Sequence, residues 1–213
     1  MNRHEVSGQF GAPLSVAGIV LCGGQSRRMG RPKAWLPFGG ETMLSRITRL
    51  LKQAVEPVVV VAAQAQDVPP LPSDVLLVRD EEEGLGPLAG LAAGVKCLEG
   101  RADAAYLSSC DVPLLRPEFV IRLVQLLGEY KICVPRVEGY HHPLAAVYRV
   151  EVADAVRRLL AERRLRSTLL FDAVSTRVVE PDELRDVDPT FQSLRNVNTP
   201  DDYAAALTCI EQG

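Results

Sequence analysis

Short apolar runs alternate along the chain with longer stretches in which apolar residues recur every three or four positions. The short runs occupy residues 16–22, 58–62, 75–78, 104–107, 132–134, 145–148 and 176–179. Val58-Val59-Val60-Val61 puts β-branched side chains on both faces, as suits a strand covered on both sides. In residues 42–55, Met43, Leu44, Ile47, Leu50 and Leu51 share helical spacing while Arg46, Arg49 and Lys52 fall elsewhere. Residues 88–98 and 118–127 behave similarly, and Pro117 suits a helix start. This alternation predicts an α/β fold of three layers, α/β/α and Rossmann-like, around a mostly parallel sheet. After about Arg136 the rhythm changes. An extended stretch over 140–148 is followed by a charged helix over 152–164, the run 176–179 and a loop ending Arg195-Asn196-Val197-Asn198-Thr199-Pro200. A closing helix over 201–210 would be capped by Thr199, with Pro200 at its first position.

The length of 213 residues fits one domain, expected over 15–213, with residues 1–14 as a loose tail. Hydrophobic residues make up 47% and charged residues 24%, enough for a sizeable core without staples. The formal net charge is -3, which argues against nucleic acid or an anionic membrane as the main partner. The five cysteines, Cys22, Cys97, Cys110, Cys133 and Cys209, are odd in number and lack C-x-x-C spacing. Reduced thiols in a cytoplasmic protein are the expected reading. The N-terminal segment has no signal-like apolar region, and no run approaches the ~18 apolar residues of a membrane helix.

Three polar features fall at the ends of predicted strands, where open α/β sheets bind ligands. The first is Leu21-Cys22-Gly23-Gly24-Gln25-Ser26-Arg27-Arg28-Met29-Gly30-Arg31-Pro32-Lys33. Glycines let backbone N–H groups approach an anion, and Arg and Lys add charge and donors. The spacing is neither that of a P-loop nor G-x-G-x-x-G, so neither of those nucleotide sites is expected. The second is Ser108-Ser109-Cys110-Asp111-Val112-Pro113, in which Asp111 is a natural Mg²⁺ ligand if phosphates lie beside it, or else an aspartate that starts a turn. The third runs from Arg79-Asp80 through three glutamates to Gly86-Pro87-Leu88-Ala89-Gly90. Its glutamates read as solvated charges, and Gly86 and Gly90 as places where a nucleoside or a neighbouring helix comes close.

Taken in order, L-x-G-G-x-x-x-R-M-G-x-x-K, G-P-L-A-G, C-D-x-P and N-V-N-T-P resemble the molybdenum cofactor guanylyltransferase family, the MobA-like branch of nucleotidyltransferases. The motifs extend from Leu21 to Pro200. The resemblance implies a nucleotide-diphospho-sugar transferase-like fold and transfer of GMP from GTP to molybdopterin, or its molybdenum-loaded form, with release of pyrophosphate. It implies that Leu21, Cys22 and Gly23 read the guanine through their backbone. Arg28, Gly30 and Lys33 match residues around the triphosphate, with Arg28, Lys33 and Asp111 the catalytic set. Asp80 and Gly86 match GTP-site positions, Asp111 the aspartate that contacts GTP and holds Mg²⁺, and Asn196 and Asn198 asparagines linked to the pterin. Transient contact with molybdopterin-handling proteins also follows.

The sequence departs from that pattern at Cys22, where alanine is usual, and after Val61, where some members carry an asparagine that touches GTP. Here Ala62-Ala63-Gln64 follows, so that contact is absent or supplied by Gln64. His141-His142 lacks partners at ligand spacing and reads as structural or as part of a substrate-side loop. Trp35 and Phe38 read as core, and Arg163, Arg164 and Arg166 as a solvated face or an attractor for the anionic second substrate. The rival readings are a molybdopterin cytidylyltransferase, another small-molecule phosphate nucleotidyltransferase, and a non-catalytic nucleotide-binding or cofactor-carrier protein.

Overall fold

The computed structural model describes residues 14–23, 31–80 and 84–211. The chain runs β1 (Val16–Leu21), β2 (Pro37–Phe38), β3 (Glu41–Thr42), α1 (Met43–Leu51), β4 (Val58–Ala63), β5 (Val75–Asp80) and α2 (Pro87–Leu98). It continues with β6 (Ala104–Ser109), α3 (Pro117–Leu126), β7 (Ile132–Val137), β8 (Tyr140–His141) and β9 (Ala146–Arg149). The last elements are α4 (Ala153–Ala161), α5 (Leu169–Ala173), β10 (Thr176–Val179) and α6 (Pro200–Glu211).

The main sheet has the order β10-β7-β9-β6-β1-β4-β5, with β8 paired to β7. Pairings β1–β4, β1–β6, β4–β5 and β7–β10 are parallel, whereas β9 is antiparallel to both β6 and β7. The cause is the connection. A parallel return needs a crossover of a dozen or more residues, and only residues 138–145 separate β7 from β9. The expected extended stretch over 140–148 is therefore a strand, a 3-10 turn and a second strand that doubles back into the sheet.

Side-chain alternation along the central strands divides the core in two. Val20, Val58, Val60 and Tyr106 pack with Leu44, Ile47 and Leu51 of α1 and Phe119, Val120 and Leu123 of α3. Ala17, Ile19, Leu21, Val59, Val61 and Leu107 face the other way, onto Leu88, Leu91, Val95 and Leu98 of α2 and Val156 and Leu159 of α4. This is the three-layer arrangement that the alternating runs predict. α1 begins where expected because Thr42 Oγ1 accepts the Ser45 N–H.

A third cluster lies beyond the sheet edge. α6 packs Ala206 and Tyr203 against Leu36, Phe38 and Met43 around the β2–β3 hairpin, with Val197 and Leu114 beside them. The Tyr203 hydroxyl donates to the Pro37 carbonyl, and its ring meets Phe38 edge-on. The five cysteines are free thiols. No helix among the described residues is long and apolar enough to cross a membrane.

Candidate active site

Parallel pairing of β5, β4, β1 and β6 brings their C-terminal ends to one edge of the sheet. Asp111 lies two residues beyond β6 on this edge. Its Oδ2 is 2.8 Å from Lys33 Nζ, and its Oδ1 accepts from Ser109 Oγ and from Asn196 Nδ2 at 3.0 Å. Lys33 Nζ also donates to Asn198 Oδ1 at 2.6 Å. Segments far apart in sequence thus converge on one carboxylate. The backbone fixes the arrangement: Val197 N–H donates to the Asp111 carbonyl at 2.8 Å, so the Asn196–Asn198 strap is tied to the loop it faces.

The strap is held at its other end by α6. Asp202 Oδ2 accepts the N–H groups of Asn198 and Thr199, while Thr199 Oγ1 accepts the Asp202 N–H. This reciprocal cap fulfils the expectation for Thr199 and Pro200. It also holds the Asp202 carboxyl below its ordinary pKa, first through the Asn198 N–H.

On the other side of the edge, Cys22 N–H donates to the Val61 carbonyl and Cys110 N–H to the Leu21 carbonyl, extending the ladder past the strand ends. Cys22 and Cys110 are buried and interact through their thiols. Donation from Cys110 lowers the Cys22 thiol pKa, and the same bond raises that of Cys110. Gly23, next along, is exposed.

Gln64 is exposed in the turn after β4. Gln66, two residues on, is tied to the end of β1: its Nε2 donates to the Cys22 carbonyl at 2.6 Å. No expectation named Gln66, which lies two residues after Gln64.

Asp80 ends β5 on the same edge, opposite Ala63 of β4. Gly86 precedes α2 with φ 73°, a left-handed backbone that a side chain would strain, in open surroundings. Gly90 serves helix packing instead, since a Cβ there would lie 2.8 Å from Leu21 Cδ2. Arg28 and Gly30 lie outside the described residues, as does the expected tail up to residue 13.

One further expectation, Trp35 as core, is not met. Phe38 is core, but Trp35 is partly exposed and its Nε1 donates to the Asp67 carbonyl. It braces the loop that carries Gln66. His141 meets Phe171 edge-on, and burial lowers the His142 pKa. Arg163, Arg164 and Arg166 are exposed, and Arg164 pairs with Glu162.

Among the described residues, no three His, Cys, Asp or Glu side chains gather as a metal site. Among the described residues of the cluster, Asp111 offers the carboxylate oxygens. That donor set fits Mg²⁺, which takes one or two carboxylates and completes its shell with water and phosphate.

A mostly parallel sheet with cation, carboxylate and amides converging at its carboxyl edge is the architecture of an α/β nucleotidyltransferase. The chain belongs to the MobA-like NTP transferase domain family, whose model matches residues 18–176. A probable molybdenum cofactor guanylyltransferase of Mycobacterium ulcerans is 37% identical over 208 residues, covering 95% of this chain and 98% of its own. The crystal structure of molybdopterin-guanine dinucleotide biosynthesis protein A from Archaeoglobus fulgidus superposes with a TM-score of 0.76 at 21% identity, covering 92% of this chain and all of the other. Rv0371c of Mycobacterium tuberculosis, solved with manganese, gives a TM-score of 0.63 at 21% identity over 91% of this chain and 98% of its own.

Proposed function

We propose that the protein transfers GMP from GTP to molybdopterin, in its molybdenum-loaded or metal-free form, releasing pyrophosphate and forming a guanine dinucleotide cofactor. The observation that carries this reading is the convergence of Lys33 and Asn196 on Asp111, with Asn198 bonded to the same Lys33 ammonium, which joins three sequence motifs in one cluster. A terminal phosphate oxygen of the pterin attacks the α-phosphorus of GTP, a new P–O bond forms, and the bond to pyrophosphate breaks. The attacking oxygen is already largely deprotonated, so the work of the site is alignment and charge stabilisation.

Each residue has a role in that chemistry. The backbone of Leu21, Cys22 and Gly23 meets the base, and Asp80 and Gly86 border the nucleoside. Lys33 turns from Asp111 toward the phosphates and, with Arg28, stabilises the departing pyrophosphate. Asp111 holds Mg²⁺, which when bound supplies positive charge to the reacting phosphates. Asn196 and Asn198 face the pterin. We place the reaction in the cytoplasm, with transient hand-over from molybdopterin-handling proteins.

The test is incubation with molybdenum-loaded molybdopterin, Mg²⁺ and either GTP or CTP, followed by mass analysis of the product. The guanine dinucleotide is expected. Preference for CTP would turn the assignment to a cytidylyltransferase, and GTP binding without turnover would indicate a carrier.

A further inference from the structure

Gln66 sits outside every motif that points to the nucleotide, yet it is tied directly to the end of β1. Its side-chain Nε2 donates to the Cys22 carbonyl at 2.6 Å and reaches Cys22 Sγ at 3.6 Å. Its Oε1 accepts the Ala63 N–H at 3.3 Å. Its own carbonyl accepts from Arg79 Nη1 at 2.5 Å, and the same guanidinium nitrogen holds the Ala63 carbonyl at 3.0 Å. Arg79 thus pins the loop after β4 from the neighbouring strand, and the pinned loop aims Gln66 across β4 at β1. Trp35, bonded to the Asp67 carbonyl, closes the loop from the other side.

A carbonyl oxygen has two lone pairs. One at Cys22 is taken by Gln66, which fixes the peptide plane and, among the described residues, leaves the other for a ligand. An acceptor held in this way selects bases whose edge offers N–H donors, as guanine does through N1–H and its 2-amino group. Mis-set by even a modest rotation, it would discriminate poorly, because hydrogen bonds weaken steeply with misalignment. We propose that Gln66, clamped by Arg79, is a positioning residue that orients the Cys22 carbonyl for nucleobase recognition and so sets base specificity. This rests on the guanylyltransferase reading given above.

Gln66→Met removes the donor to Cys22 while keeping the side-chain length and adding no charge. Equilibrium binding of GTP, ITP and CTP, steady-state turnover and the melting temperature are measured for the wild type, Gln66→Met and Gln66→Ala. The expected result is GTP affinity weakened by roughly 3- to 10-fold, the worth of one hydrogen bond. KM for GTP rises in step, kcat at saturation is kept, CTP binding is unchanged, and the preference for GTP narrows. GTP affinity and base preference unchanged in both variants overturn the proposal. So does an equal loss for all three nucleotides with a lowered melting temperature, which marks a purely structural residue. A wild-type protein that binds CTP better than GTP, or neither, overturns the guanylyltransferase reading as well. Wild-type GTP turnover with insensitive variants sinks this inference alone.

Discussion

Lys33 Nζ lies 2.8 Å from Asp111 Oδ2, joining the loop after β1 to the loop after β6 across 78 residues of chain. Both side chains are mostly enclosed, at 16% and 14% exposure, so the pair is screened less than a surface ion pair. Under the proposed function the ammonium serves as charge partner to the leaving pyrophosphate. Lys33→Met is expected to lower kcat by about 10²- to 10³-fold, the usual scale for losing one preorganised stabilising group. Pyrophosphate release at saturating GTP measures it. Asp111→Asn should abolish Mg²⁺-dependent turnover, and full rate in that variant would remove the proposed metal role.

Removing the metal should leave the folded protein intact. Asp111 already has its oxygens engaged by Ser109, Asn196 and Lys33 without any ion, so no uncompensated charge remains. Chelation is therefore expected to stop turnover while the melting temperature of the nucleotide-free protein stays unchanged. Structural metal sites behave otherwise, because there metal binding contributes folding free energy. Restored turnover on adding Mg²⁺ completes the measurement, and a chelator-induced fall in melting temperature would count against the site as drawn.

Much of this was legible in the chain because it is local. Val58–Val61 declares a strand covered on both faces, and Thr199-Pro200 declares a helix start. The loop bearing Asp111 could be placed at a strand end from the apolar run before it. What escaped depended on contacts between distant segments. The direction of β9 follows from a short return after β7, and a single extended stretch hid that return. The β2–β3 hairpin and α5 are too short to show a period. Gln66 escaped for a different reason: choosing between Gln64 and Gln66 requires knowing how Arg79 pins the loop, and Arg79 belongs to another strand.

Acid should loosen the strap before it melts the core. The folded pKa of the Asp202 carboxyl lies below its ordinary 3.8, held there first by the Asn198 N–H and then by Thr199. A carboxyl depressed on folding contributes stability above its unfolded pKa, and that contribution is lost as pH falls through the folded value. Asp202→Asn is therefore expected to melt lower than the wild type near pH 7, with the difference shrinking as pH falls through the folded value, which lies below the ordinary 3.8. Melting curves for both proteins across that range supply the check. Thr199→Ala, which removes the partner half of the cap, should cost about 0.5–2 kcal/mol.

The two glycines of α2 should respond unequally to the same methyl group. At Gly94 a Cβ would lie 2.8 Å from both Ile19 Cδ1 and Ile19 Cγ2 and 3.0 Å from Cγ1. Ile19 is branched at Cβ and wholly buried in β1, so it cannot swing aside. Alanine gains about 1 kcal/mol of helix propensity there, but overpacking costs ~1–3 kcal/mol, and with three contacts at or below 3.0 Å the upper part of that range governs. Gly94→Ala should destabilise by roughly 1–2 kcal/mol. At Gly90 the closest atoms are the Cδ1 and Cδ2 ends of Leu21, which can rotate away, so the two effects nearly cancel. Gly90→Ala should therefore keep its stability, and because only side-chain ends move, the Leu21 backbone and KM for GTP should be unchanged. Urea midpoints at constant m-value separate the two variants. A Gly90→Ala protein destabilised as much as Gly94→Ala would show that Leu21 is as fixed as Ile19.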